Sequence, residues 1–242
     1  MLPPPAPTDW WLIPLVTGAF LVQTVTGFGS TVLAVVFGAW LVPVEALVPV
    51  LLLVDLPLVG FLAARDRAKI DRGVLAGLVL PWMGLGVAAG AAVAPWLGGD
   101  TLRRLYGLVV VGLVARELAG GGPATSTTAA RGFTFGAGIV HGIWGSGGPL
   151  LVQAVRPRLP DRGAFRATMC TVWLVFDAVV LTTVLARGGV DGATLTRALL
   201  VAPAIPVGVW LGDRLHHSLP ERPFALVVRG LLLLGGFALA VR

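Results

Sequence analysis

The chain has 242 residues, of which 56% are hydrophobic and only 12% charged. Soluble domains carry about a quarter charged residues, so an ordinary water-soluble fold is excluded, and the apolar sequence suffices for roughly six to eight bilayer passes of about 20 residues each. The net charge of +6 does not point to nucleic acid, because the basic residues lie in short loops between apolar segments, where they set topology.

Met1 to Pro7 carries no basic stretch and no small-residue cleavage site, and is not read as a cleaved signal peptide. The first apolar stretch runs from Trp10 to about Thr26, is interrupted by Gly27-Phe28-Gly29-Ser30, and resumes from Thr31 to Val42. Apolar segments follow at Ala46 to Ala64, Gly73 to Leu97 and Leu102 to Leu118. A linker rich in Gly, Ser and Thr spans Ala119 to Ala130. The second half opens with Gly132 to Trp144, breaks at Gly145-Ser146-Gly147-Gly148-Pro149 and resumes through Val155. Phe165 to Ala186, Leu195 to Leu211 and Phe224 to Val241 complete it. Glycine and proline inside such runs are tolerated because neighbouring helices re-satisfy freed backbone groups.

The order of elements repeats, and so do residues. At an offset of 118, Gly18 matches Gly136, Gly27 matches Gly145 and Gly29 matches Gly147; at an offset of 122, Asp55 matches Asp177, Arg65 matches Arg187, Pro81 matches Pro203, Gly86 matches Gly208 and Gly90 matches Gly212. Chance among abundant Gly and Ala explains single matches, but not a register that pairs Asp with Asp, Arg with Arg and Pro with Pro. The expected organisation is a first transmembrane repeat over 1–118, a linker over 119–130 and a second repeat over 131–242.

If each broken segment enters the membrane and returns, each half makes an odd number of crossings and the halves are inverted. With the N-terminus outside, inversion then places twelve Lys and Arg residues inside, including the Arg65–Arg72 and Arg156–Arg166 clusters, and five outside. Parallel halves give a roughly even split, so the positive-inside rule favours inversion. The expected fold is an all-α polytopic membrane protein of two inverted repeats. Each repeat has a broken, glycine-interrupted helix pair plus three full helices, giving about eight membrane segments in all.

A helix that starts in mid-membrane exposes N–H groups at its positive dipole end, a ready anion site. Gly29, Ser30 and Thr31 open one such piece; Gly147 and Gly148 open the other, with Pro149 suited to a first turn. Under inversion the two starts point to one central cavity and suit a small oxyanion. Gln23 and His141 stand at matching positions four residues, about one helical turn, before Gly27 and Gly145. Together with Gly145 and Ser146 these residues form the candidate substrate site. The competing structural reading is close helix packing through glycine and, for His141, a bond to a neighbour.

Asp55 and Asp177 lie near the centres of their helices, where charge is costly. They serve either as proton-coupling groups or as structural hydrogen-bonding groups. His216 and His217 lack a third ligand, so no metal site is expected. Cys170 is the sole cysteine, which precludes an intramolecular disulfide.

The paired motifs Thr26-Gly27-Phe28-Gly29-Ser30 and Gly142-Ile143-Trp144-Gly145-Ser146-Gly147-Gly148-Pro149, the Asp/Arg-rich loop after the second apolar segment and the Pro81-to-Gly86 segment resemble the TauE/SafE family of sulfite exporters, over the whole chain. The resemblance implies a secondary transporter in the bacterial inner membrane, moving sulfite, sulfoacetate or a related organosulfonate. The expected partners are the lipid bilayer and a small anion, with protons added if Asp55 and Asp177 act as coupling groups, and no cofactor is expected. The first break is shorter in glycine than in many family members, and Cys170 stands away from both breaks, which argues against cysteine-relayed thiosulfate uptake. The alternatives are an intramembrane hydrolase using Ser146 and a histidine, or an uncoupled anion channel.

Overall fold

The computed structural model describes residues 2–26, 29–121, 124–216 and 221–241, and among these it is helical with no strand. In chain order the helices are α1 (Leu12–Thr26), α2 (Ser30–Gly38), α3 (Val44–Arg65), α4 (Arg72–Trp96), α5 (Gly99–Leu118) and α6 (Thr127–Trp144). They continue with α7 (Gly148–Val155), α8 (Arg162–Ala186), α9 (Gly192–Val201), α10 (Ala204–His216) and α11 (Glu221–Val241).

Among the described residues four stretches are long and apolar enough to cross a membrane: α3, α4, Gly163–Ala186 of α8, and Gly192–Leu215, which takes in α9 and most of α10. Leu234 is 73% exposed and Phe237 64% exposed on α11, and Phe61 of α3 is 62% exposed. Such side chains would be a liability in water and are ordinary against lipid. The protein is an all-α polytopic membrane protein.

Pro81 and Pro203, which stand 122 positions apart, each disturb their helix. Pro81 supplies no N–H, and the turn before it, Leu75–Val79, widens to a π-helix in which Leu80 N–H reaches back to Leu75 O. At the matching Pro203 the helix is interrupted between Val201 and Ala204.

The contacts divide the chain into two compact units, residues 1–51, 97–121 and 188–242 in one, 52–96 and 122–187 in the other. Each unit therefore draws on both sequence halves. In the first, α1 packs on α10: a Cβ at Gly208 would meet Thr17 O at 2.5 Å, and one at Gly212 would meet Leu21 O at 2.8 Å. In the second, α4 packs on α6: a Cβ at Gly86 would run into Phe135 O and one at Gly90 into Ile139 O. These contacts stand at the two offsets of the sequence. Gly86 and Gly208 differ by 122, Phe135 and Thr17 by 118, and Gly90 with Ile139 repeats as Gly212 with Leu21. Glycine is present at each because the backbones approach too closely for any side chain.

The segment read as a linker is partly helix. Ser126 Oγ accepts a bond from Ala129 N–H at 3.2 Å and starts α6 at Thr127, as serine does at an N-cap.

In the second unit α3 and α8, the helices carrying the matched aspartates, run antiparallel. Asp66 meets Arg166, Val59 and Ala63 cluster with Cys170, a Cβ at Gly60 would sit 3.5 Å from Leu174 Cδ1, and Asp55 meets Asp177. Numbers fall along one helix as they rise along the other.

Candidate substrate site at the helix breaks

Each broken segment folds back as a hairpin. In the second unit a Cβ at Gly147 would meet Ala137 O, one at Gly136 would lie 3.8 Å from Leu150 Cδ1, and Ala154 packs with Ala130, so α7 returns antiparallel to α6. Ala124 N–H, just before α6, donates to Gln153 O near the end of α7 at 2.9 Å. Arg158 then ties the returning chain to the start of α6, donating to Ala124 O at 2.8 Å and Thr125 O at 3.3 Å. At eight residues α7 is about 12 Å long, far short of a bilayer. In the first unit Gly38, at the end of α2, approaches Leu15 near the start of α1, with 3.3 Å between its Cβ position and Leu15 Cδ2.

The turns depend on glycine. Gly145 ends α6 at φ 64° and Gly29 precedes α2 at φ 100°, the left-handed region that L side chains avoid. Gly145, Ser146, Gly147 and Gly148 are all buried; Ser30 is buried, and Gln23, Gly29 and Thr31 are half-buried. Gly27, named with these in the sequence, lies outside the described residues.

The helix starts differ in how their first turn is compensated, and α5 begins on Gly98 without a side-chain cap but has Asp100 in its first turn. Asp71 accepts from Val74 N–H, Ser126 from Ala129 N–H, Asp161 from Ala164 N–H and Asp191 from Thr194 N–H, so α4, α6, α8 and α9 begin with a side-chain cap. By contrast α2 begins on Gly29 and α7 on Gly147, with neither a side-chain cap nor an acidic residue in the first turn. The second pieces of the two breaks therefore keep their positive ends uncompensated by any capping side chain.

Beside the α7 start lies a buried polar cluster. His141, 1% exposed, is one turn before Gly145 and its Cβ lies 3.0 Å from the Cβ position of Gly147. Its Nε2 is 3.1 Å from Asp177 Oδ1. That is ion-pair distance without an aligned hydrogen bond, and neither ring nitrogen has an aligned partner. Asp177 is in hydrogen-bonding contact with Asp55, and both are buried, Asp55 at 7% and Asp177 at 4% exposure. The structure thus joins three residues that the sequence placed in two separate roles.

Trp173 completes the cluster and was not singled out from the sequence. Its ring stacks on His141 with centroids 5.6 Å apart and 26° between planes, and its edge lies 3.7 Å from the Cβ position of Gly148. The signal was available: Trp173 precedes Asp177 by four residues and so shares its helix face. Phe176 meets His141 edge-on, with ring centroids 6.5 Å apart. Among the described residues no group of three or more His, Cys, Asp or Glu is arranged to hold a metal.

At one end of the second unit the loops of both halves converge. Asp71 N–H donates to Thr168 Oγ1 at 3.0 Å and Arg166 bonds Asp66 at 3.0 Å, bringing the Arg65–Arg72 loop to the basic start of α8. Burial pushes the Asp66 carboxyl up, but the Arg166 bond and the charges of Arg166, Arg65 and Lys69 outweigh it and hold the group below its ordinary value.

The family model for the sulfite exporter TauE/SafE matches residues 12–239. A curated protein of Comamonas testosteroni, the probable inner membrane transporter protein TsaS, is 29% identical over 173 residues, covering 67% of this chain and 70% of that protein. No solved structure matches. With helices of membrane length, two glycine-broken hairpins and a family match over almost its whole extent, the chain belongs to the sulfite exporter TauE/SafE family.

Proposed function

We propose that the protein is a secondary transporter that moves a small sulfur-containing anion, sulfite or an organosulfonate such as sulfoacetate, across the bacterial inner membrane, binding it at the helix breaks. The observation that carries this reading is the contrast among helix starts. Four begin on an Asp or Ser cap and α5 begins on an uncapped glycine with Asp100 in its first turn, while the two inside the breaks begin on glycine with neither a side-chain cap nor an acidic residue in the first turn. An oxyanion satisfies backbone N–H groups and a positive dipole end as a capping carboxylate does. At α7 the groups that would bind it are the backbone of Gly147 and Gly148, with His141 and Ser146 beside them; at α2 they are Gly29, Ser30 and Thr31, with Gln23 one turn before the break.

The family description, sulfite exporter, and the name of the Comamonas relative, an inner membrane transporter, support the substrate class and location. They also favour transport over an intramembrane hydrolase built on Ser146. The antiparallel α3 and α8, the return of both hairpins and the contacts repeated at two offsets support inverted repeats over 1–118 and 131–242, a common transporter plan.

An uptake screen in proteoliposomes tests the proposal, using sulfite, sulfoacetate, sulfate, phosphate and carboxylates. Saturable uptake of sulfite or a sulfonate is expected. Absence of any anion-dependent signal overturns it, and cleavage of a peptide lost in Ser146→Ala would establish the hydrolase instead. Uptake that never exceeds equilibrium under any imposed gradient would identify a channel.

A further inference from the structure

We propose that Asp55, Asp177 and His141 form one proton-carrying unit, in which Asp55 donates a retained proton to Asp177 and His141 takes up and releases the proton that travels with the anion. The proposal rests on the transport reading above and adds the coupling ion to it.

The carboxyl pair comes first. Asp55 and Asp177 touch and both are buried. Two adjacent carboxylates out of water repel strongly, and a single proton shared between them removes the conflict. Within this unit the ionisable groups facing the pair are His141 from α6 and, two turns along α8, the thiol of Cys170; residues 80–93 of α4 and the whole of α7 have none. No lysine or arginine is there to neutralise a second charge. Asp177 already has His141 Nε2 at 3.1 Å, whereas Asp55 Oδ1 has no partner. Asp177 is therefore the carboxylate and acceptor, and Asp55 the donor.

His141 lacks the hydrogen-bond partners of a structural histidine. A structural histidine at 1% exposure normally has at least one satisfied nitrogen, yet neither nitrogen here has an aligned hydrogen bond. Its surroundings instead suit a cation, with a carboxylate at 3.1 Å and the face of Trp173 stacked on it. The same Trp173 reaches Gly148 at the α7 start, so proton and anion sites are contiguous. A monoanion there favours the imidazolium, and by linkage the imidazolium favours the anion equally.

Charge closes the cycle. The empty site carries the single negative charge of Asp177. With one proton on His141 and one monoanion at the helix start, it carries the same charge. Loaded and empty forms then cross the membrane interior at equal electrostatic cost, which makes the transport an electroneutral symport of one proton and one monoanion.

The full chain in proteoliposomes, with the membrane potential clamped at zero, tests this. The probe is labelled methanesulfonate, a monoanion with no group titrating near neutral pH, with sulfite as a second probe. The readout is the equilibrium accumulation ratio, which needs only that some flux remains. Wild type should accumulate the probe about tenfold per unit of pH gradient, the ratio set by one coupled proton. Asp177→Asn should bring that ratio to one. Flux in wild type that ignores the pH gradient, or an Asp177→Asn protein that still accumulates the probe, overturns the proposal. Absence of any wild-type anion flux is instead a failure of the transport reading. Infrared spectra of the detergent-solubilised protein decide the carboxyl pair without transport. A protonated-carboxyl C=O band should be present in wild type at neutral pH and missing in Asp55→Asn, and its absence from wild type overturns the shared proton.

Discussion

His141 Nε2 lies 3.1 Å from Asp177 Oδ1, joining the turn of a broken helix to an aspartate whose sequence match, Asp55, touches it from an antiparallel helix. The relationship gives one physical setting to residues that occupy three separate stretches of sequence. It also makes the helix break and the charged centre parts of a single contiguous cluster, bridged by the ring of Trp173.

The close helix contacts make specific demands on glycine. Gly86→Ala and Gly138→Ala each drive a methyl into the backbone of the facing helix and should destabilise the protein by about 2–3 kcal/mol or more. Gly77→Ala and Gly112→Ala, where a Cβ meets nothing within 4 Å, should be neutral or stabilise by about 0.5–1 kcal/mol. Thermal unfolding in detergent separates the two sets, and equal losses in both would contradict the packing.

Gly145 turns the second break at φ 64°. Gly145→Ala should cost about 1–2 kcal/mol, the penalty of an L side chain in that region, and lower the uptake rate by misplacing the α7 start. Gly145→Asn should lose less, because asparagine visits this conformation. A common effect of Ala and Asn on both thermal stability and uptake would argue that backbone conformation is not what the position requires.

The Asp66–Arg166 bridge predicts an acid-sensitive loop. Asp66 has a lowered folded-state pKa, so its stabilisation is fully present above its ordinary value near 3.8 and is lost as pH falls through the lower folded value. The arginine is half exposed, which limits the effect to about 0.5–1 kcal/mol. Arg166→Gln should remove that part of the stability loss between pH 5 and pH 3, measured as the slope of unfolding midpoint against pH; an unchanged slope would show that the bridge contributes nothing.

In the first unit Arg229 Nε, within apolar α11, bonds Glu117 Oε2 of α5 at 2.9 Å. Glu117→Gln leaves the arginine charge uncompensated and should cost about 1–2 kcal/mol. Adding Arg229→Gln should restore part of that loss, since the pair is then neutral. A double-mutant cycle with purely additive losses would mean the two side chains act independently.

By itself the sequence determined the membrane character of the chain and the places of the two glycine breaks, and it supplied residue matches at two fixed offsets. These are written in composition, in hydropathy and in matches at fixed offsets, and they need no knowledge of distant contacts. Only the tertiary structure decided how those pieces meet. Asp55 and Asp177 are 122 positions apart, and periodicity places each on a helix without saying that the helices run antiparallel and bring the carboxyls together. Spacing puts Trp173 on the same helix face as Asp177 but does not put its ring on His141, because which face of a uniformly apolar helix turns inward is set by neighbouring helices and not by its own pattern. The close backbone approach of α4 to α6 settles that question here: glycines at 86, 90, 138 and 142 leave room for contact on one side only, and that contact holds α6 in place and with it His141 at the break.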